Sequence, residues 1–271
     1  MKHSRQRNLK RSLSTFTLAL LLLAAAATAP PGTGGALAQN KAARTPTETV
    51  REFYKRMRER KYSEAFALTI YKPAIDGLVA EELEELRPDF ERMAAAIPEQ
   101  IEVSGEQMSG DMATVFVKIA EAGKDAQAEP VTLIREAGEW IVGDRENQEI
   151  VKKAGKQFFF EARIQTHHNE VQAILQRISI AQLAYASQHN NNYADLPALK
   201  VAGLVPKDIE APEALGYRFH LTLAKDAKSW TAGAEPLRYG RTGRLSFFLD
   251  STGIRSTDNG GKPLILPAEK Q

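Results

Sequence analysis

Ile178-Ser179-Ile180-Ala181-Gln182-Leu183-Ala184-Tyr185, then His189-Asn190-Asn191-Asn192-Tyr193, then Gly216-Tyr217-Arg218-Phe219, Trp230-Thr231-Ala232 and Ser246-Phe247-Phe248-Leu249-Asp250: this succession decides the fold of the C-terminal third. The first run belongs to a helix expected over about 162–189. Val171, Ile174, Leu175, Ile178, Ala181, Leu183 and Tyr185 fall mainly on one of its stripes. Asn190 to Asn192 end it, because asparagine tolerates the left-handed conformation. Asp195 is placed to cap a short helix with Pro197 in its first turn, and Gly203 ends that helix. The runs that follow are short strands separated by glycines.

Working outward, the N-terminal end reads as an export signal over residues 1–38. Lys2, Arg5, Arg7, Lys10 and Arg11 make a basic start, and 18–29 is apolar but too short and alanine-rich for a bilayer span. Ala36-Leu37-Ala38 fits the small-x-small cleavage rule, which places the cut after Ala38. The whole chain carries 36 Lys+Arg against 34 Asp+Glu, a formal +2. Five of those cations and no anion lie in the signal, so the remainder holds 31 cations against 34 anions, a net −3. General attraction to nucleic acid is therefore not expected, nor is a stable membrane span after cleavage. The chain has no cysteine, which excludes disulfides, thiolate metal sites and cysteine nucleophiles.

The remaining length suits two domains, expected at 45–147 and 162–266 with a charged linker over 148–161. In the first, Thr47 is expected to cap a helix carrying Val50, Phe53, Tyr54 and Met57. A second helix is expected over 62–70, ended by Lys72-Pro73, and a third over 79–97 with a break at Pro88. The period then switches from helical to alternating. Strands are expected around Ile101 and Val103, over 113–119, and as a hairpin of 131–135 with 140–142 about Glu136-Ala137-Gly138-Glu139. Ser109-Gly110-Asp111 reads as a turn and 122–129 as a loop. Helices followed by an antiparallel meander argue for an α+β fold.

Two resemblances carry this further. Pro46-Thr47-Glu48-Thr49-Val50-Arg51-Glu52-Phe53-Tyr54, Tyr62-Ser63-Glu64-Ala65-Phe66, and Pro130 to Glu136 followed by Gly138-Glu139-Trp140 resemble the exported bacterial branch of the nuclear-transport-factor-two-like superfamily, over about 45–145. That resemblance implies a cone-shaped domain whose relatives range from enzymes to binding and structural modules. Asn169-Glu170, 178–185, Tyr193-Ala194-Asp195-Leu196, Ala202-Gly203-Leu204-Val205, Gly216 to Phe219, Ala232 to Pro236, Tyr239 to Gly243 and Phe247 to Arg255 look like the globular domain of type IV pilins and type II secretion pseudopilins. The chain departs from that pattern just before the match. Residues 161–168 include Arg163, Gln165, His167 and His168, where pilins carry an apolar helix. The resemblance thus implies a pilin head without its polymerising stalk.

Several residues are candidate sites. Were the first domain to hold a pocket in its cone, Glu52, Tyr54 and Asp111 are its first suspects. Asp250, Asp258 and Asn259 flank a Gly-containing loop, where hard oxygen donors suit calcium and where a turn with self-capping side chains is the simpler reading. His167, His168, Glu170 and Arg163 read as solvated helix surface, because adjacent histidines on a helix diverge by about 100°. Glu81-Glu82-Leu83-Glu84-Glu85 reads as an exposed helix face and Arg56-Met57-Arg58-Glu59-Arg60-Lys61 as a solvated helix end. Phe158-Phe159-Phe160 is expected to pack at the start of the long helix or between the domains, with a partner-docking patch as the lesser alternative, and Trp140 and Trp230 read as core or strand-pair aromatics.

No Ser/His/Asp order, phosphate-cradling glycine loop or paired carboxylates with a pocket is evident, and no cofactor beyond calcium is suggested. The sequence therefore reads as an exported, periplasmic or secreted protein with a non-enzymatic binding or scaffold role among envelope proteins. The alternatives are a small-ligand binder or enzyme using the first domain's cone, and an accessory component of a pilus or secretion apparatus.

Overall fold

The computed structural model describes residues 44–98, 101–119, 127–205 and 214–265. The expected signal at 1–38 and most of the loop at 122–129 lie outside these residues. The fold is mixed: helices with two antiparallel four-stranded sheets, and a chain that divides into two compact units after Phe158.

The first unit opens with α1 (Pro46–Arg58). Thr45, not Thr47, caps it: its hydroxyl accepts from Glu48 N while the Glu48 carboxylate accepts from Thr45 N, a reciprocal capping box. Pro46, which lacks an N–H, takes the first helical position. Thr47 points elsewhere and donates its hydroxyl to Glu106 at 2.6 Å. Val50, Phe53, Tyr54 and Met57 form the buried face as their spacing requires.

The expected helix over 62–70 is two short ones, α2 (Tyr62–Phe66) and α3 (Lys72–Asp76). Lys72-Pro73 starts α3 rather than stopping α2, because proline suits a first turn as well as it blocks a continuation. The interruption is fixed by a tertiary contact. Ile70 N donates to Val142 O and Val142 N to Leu68 O, both at 2.9 Å, so this segment pairs with a strand. Gly143 follows at φ 127 with no room for a side chain, since a Cβ would lie 2.6 Å from Ile70.

Helix α4 (Ala80–Ala95) runs through Pro88 without the expected break. Leu86 and Phe90, on either side of the proline, are both fully buried, and that packing holds the helix across the missing backbone bond. Phe90 meets Tyr62 and Phe66 at ring-centroid separations of 5.5 and 5.0 Å. The acidic run is not wholly exposed: Glu82 is buried, accepting from Val79 N and facing Lys156.

Strands β1 (Glu102–Ser109), β2 (Met112–Ile119), β3 (Gln127–Glu136) and β4 (Glu139–Val142) form the first sheet in chain order, all antiparallel. The turns are where the sequence puts them, at Gly110-Asp111 and Ala137-Gly138, the latter with both residues at positive φ. A bulge between Val103 and Gly105 accounts for the Ser104-Gly105 interruption. Helix α1 packs across β2 and β4, and Val115, Val117, Leu133 and Val142 face it from the alternate positions of their strands. Residues 148–161, expected as a linker, are helical: α5 (Arg145–Ala154), capped by the Asp144 side chain, then a 3-10 turn, then the first turn of the next helix.

In the second unit α6 (Phe158–Gln188) is followed by α7 (Leu196–Val201) and by β5 (Tyr217–Leu223), β6 (Trp230–Pro236), β7 (Leu245–Asp250) and β8 (Gly253–Asp258), again an antiparallel meander in chain order. Val171, Ile174, Leu175 and Ile178 of α6 meet Tyr217, Phe219, Trp230, Ala232, Phe247 and Leu249 of the sheet in one core. Fully burying each aliphatic side chain there contributes about 1.5–3 kcal/mol. Leu183 falls off the expected stripe and is 62% exposed, being two residues beyond buried Ala181 and so on the opposite side of the helix. Asn190 and Asn191 end α6 at positive φ, and Asp195 caps α7 through Ala198 N. Gln182, fully buried, holds the returning chain by both amide atoms: Nε2 donates to Ala194 O at 2.6 Å and Oε1 accepts from Ala194 N at 3.0 Å. Among the described residues no helix is long and apolar enough to cross a membrane.

Candidate functional site

Helix α1 and the first sheet place the three pocket suspects apart. Glu52 and Tyr54 are two residues apart on α1, so their side chains leave it about 200° from each other. Tyr54 is in the core with its ring on Phe53, and burial, with the nearby charge of Glu129, pushes its hydroxyl up to about 12. It is a neutral donor at any physiological pH. Glu52 faces outward, 2.8 Å from Arg56 Nε, and that bond holds its carboxyl below the usual range against a small opposing effect of burial. The same guanidinium donates to Glu64 O, so Arg56 ties α1 to α2 rather than lying free in solvent. Asp111 sits exposed on the β1–β2 turn, its backbone carbonyl accepting from Arg135 N at 2.8 Å. The three side chains do not form a cluster.

The proposed calcium donors are separated by the β7–β8 hairpin. Asp250 pairs with Gly253 at the turn and Asp258 with Leu245 at the far end. Five ladder steps of about 3.4 Å put them about 17 Å apart. Each carboxylate has local partners. Asp250 accepts from Thr252 N and Oγ1, at 2.8 and 2.6 Å, and from Arg255. Burial works to raise its pKa, but these bonds and the Arg255 charge together leave it lowered. Asp258 accepts from Tyr239 Oη at 2.9 Å and Gly260 N at 3.1 Å. Asn259 donates to the carbonyls of Lys262 and Pro263, closing the turn after β8. Among the described residues no group of three or more His, Asp or Glu side chains could hold a metal ion.

The histidines are where the structure departs most from the sequence reading. His167 and His168 are 5% and 8% exposed, not solvated. Though they diverge on α6, both reach the segment joining β6 to β7. His167 Nδ1 lies 2.8 Å from Thr242 O, a contact that requires the proton on Nδ1. His168 Nε2 accepts from Arg244 N at 3.1 Å and Leu245 N at 3.2 Å, so this ring is neutral with its proton on Nδ1. Burial lowers its pKa first, and the charges of His167 and Arg244 add to that against the opposing Asp258. Its ring stands edge-on to Tyr217 and Phe247.

The same segment is anchored at several further points. Arg244 pairs with Glu161, Nη1 to Oε2 at 2.7 Å, and the Arg241 guanidinium lies 4.1 Å over the ring of Phe160. Phe159 and Phe160 are buried in the first turn of α6. Tyr217 Oη donates to Leu245 O at 3.0 Å, and Gly243 leaves the space for it, since a Cβ there would lie 1.9 Å from that oxygen. Composition could not show this latch. Its partners are backbone groups about 75 residues away in sequence, and the only trace was a pair of histidines on the core side of a helix.

Compared with known proteins, the chain matches no family model, no curated protein and no solved structure.

Proposed function

We propose that this chain is exported by its first 38 residues and serves the bacterial envelope as a two-module binding or scaffold protein, with a nuclear-transport-factor-two-like first unit and a pilin-like second unit. The observation that carries the binding role is on α6. Ile180 and Leu183 are 66% and 62% exposed and three residues apart, so they stand side by side on the helix face away from its core stripe. The polar side chains that looked most like chemistry are engaged in holding the fold: Glu52 with Arg56, Asp250 with Thr252 and Arg255, and the histidine pair with the β6–β7 segment. That arrangement favours a binding surface over a catalytic centre.

A photo-crosslinking residue at position 183 in cells tests this reading. The expected product joins the mature chain, beginning at Gln39, to an envelope protein, and it is lost when Ile180 and Leu183 both become serine. Absence of any such product, together with turnover of a small molecule by the purified chain, would overturn it. One observation favours a narrower version, a long helix on a four-stranded antiparallel meander. Products containing pilin or pseudopilin subunits would identify the protein as an accessory part of such an apparatus.

A further inference from the structure

The chain leaves β8 through Asp258-Asn259-Gly260-Gly261-Lys262, and Asn259 is the only asparagine in the sequence with glycine after it. Asn259 and Gly260 are both exposed. Lys262 N donates to Asn259 O at 3.2 Å and closes the turn, with Gly260 and Gly261 at φ 60 and 78. Positive φ at both central positions accounts for a glycine at each. It also leaves the Gly260 nitrogen with no side chain of its own residue to shield it from the asparagine amide.

Two sets of hydrogen bonds meet at this dipeptide. Asp258 Oδ1 accepts from Gly260 N at 3.1 Å, and Tyr239 Oη donates to Asp258 Oδ2 at 2.9 Å, which fixes the carboxylate beside that nitrogen. Gly261 lies close against Tyr239, a Cβ there being 3.0 Å from the tyrosine Cβ, so the turn and the ring stay together. The Asn259 amide in turn donates to Lys262 O at 3.2 Å and to Pro263 O at 2.9 Å. Lys262 O also accepts from Ser246 Oγ of β7 at 2.7 Å, and Ser246 is fully buried. The two N–H bonds of one asparagine therefore help tie residues 262–265 to β7.

We propose that Asn259 is a self-modifying site, an amide that the folded chain converts to an acid, releasing residues 262–265 from β7. Gly260 N bonds to Asn259 Cγ while its proton passes to Asp258. The bond from Cγ to Nδ2 breaks, Nδ2 takes the proton back and leaves as ammonia, and a cyclic imide remains. Water then opens the imide at Cγ to give aspartate, or at the Asn259 backbone carbonyl to give isoaspartate, whose main chain runs through the side chain. The net change is a water taken up and an ammonia released, with no oxidant or reductant. Asp258 is placed as the base for the first step because it already accepts the hydrogen bond from the nitrogen that must lose its proton. Either product lacks the two N–H donors, so Lys262 O and Pro263 O lose that partner, and a carboxylate set against them repels them.

The test incubates the intact chain beside a peptide of residues 254–265 in the same mildly alkaline buffer. Intact mass and peptide mapping follow loss of the amide, and an isoaspartyl methyltransferase marks the isoaspartate. Conversion is expected at Asn259 of the folded chain, ahead of its other asparagines. Asp258→Ala should slow it by at least about tenfold in the folded chain and leave the peptide rate unchanged, since the fold is what holds that carboxylate on Gly260 N. Asn259→Asp, which carries one product from the start, should speed amide hydrogen exchange over 262–265 about tenfold. An unchanged circular dichroism spectrum in each variant separates these effects from lost folding. The proposal is overturned if the folded chain keeps its amide while the peptide converts, if Asp258→Ala leaves the folded chain's rate unchanged, or if Asn259→Asp exchanges over 262–265 as the parent does.

Discussion

Replacing Gln182 with leucine should destabilise the second unit by about 2–4 kcal/mol. Gln182 is fully buried and its amide meets both backbone groups of Ala194, itself 3% exposed. Leucine fills nearly the same volume but offers no donor or acceptor, so one buried N–H and one buried C=O are left unmet, at about 1–3 kcal/mol each. Added apolar burial offsets part of that, about 1 kcal/mol. The chain has two tryptophans, and Trp230 belongs to the second unit's core while Trp140 belongs to the first unit. A Trp140→Phe background therefore lets fluorescence report the second unit alone during urea unfolding. With a slope of about 1–3 kcal/mol per molar urea, the midpoint should fall by about 1–2 M. Gln176→Leu, on the exposed side of the same helix, should stay within about 0.5 kcal/mol of the parent. Gln182→Glu should be destabilised at neutral pH, where the carboxylate keeps its acceptor but sets a second oxygen against Ala194 O, and should recover as acid restores a donor. Equal midpoints for Gln182→Leu and Gln176→Leu would refute the claim that this amide clasps the returning chain.

Two further outcomes follow from the latch between α6 and the β6–β7 segment. His168 is neutral in the folded chain with a lowered pKa, so the unfolded chain, titrating near about 6.5, takes up a proton that the folded one refuses. Its contribution is therefore full above that value and is lost as pH falls toward the lowered folded pKa. His168→Gln, which keeps an acceptor without titrating, should flatten that part of the stability–pH curve, and an unchanged curve would count against the latch. Gly243→Ala should cost about 2–4 kcal/mol, from overpacking and from loss of the Tyr217–Leu245 bond. Combining it with Tyr217→Phe, which removes the nearest clashing atom, should cost less than the two changes summed, whereas strict additivity would show that the two side chains do not compete for one space.

Local geometry was readable wherever a single segment carries its own signal. The spacing of Val171, Ile174, Leu175 and Ile178 marks a helix face, Gly110 and Ala137-Gly138 mark hairpin turns, and Asn190-Asn191 mark a helix end. Ambiguity entered where one residue serves opposite purposes. Pro73 fits the start of α3 as well as the end of α2, and Pro88 breaks a helix only where packing does not hold it. The oxygen donors at Asp250 and Asp258 looked like parts of one loop because they are close in sequence. Pairing across β7 and β8 sends them to opposite ends of a hairpin.

The sequence by itself determined the α+β class, the order of helices and antiparallel strands, and most turn positions, because hydrophobic period and turn chemistry act over a few neighbouring residues. Only the tertiary structure decided that His167 and His168 are buried, that Gln182 clasps Ala194, and that the Tyr217 hydroxyl donates to Leu245 O. Each of these depends on what a polar atom meets from a distant part of the chain, and a polar residue reads the same in sequence whether its partner is water or a backbone group folded against it.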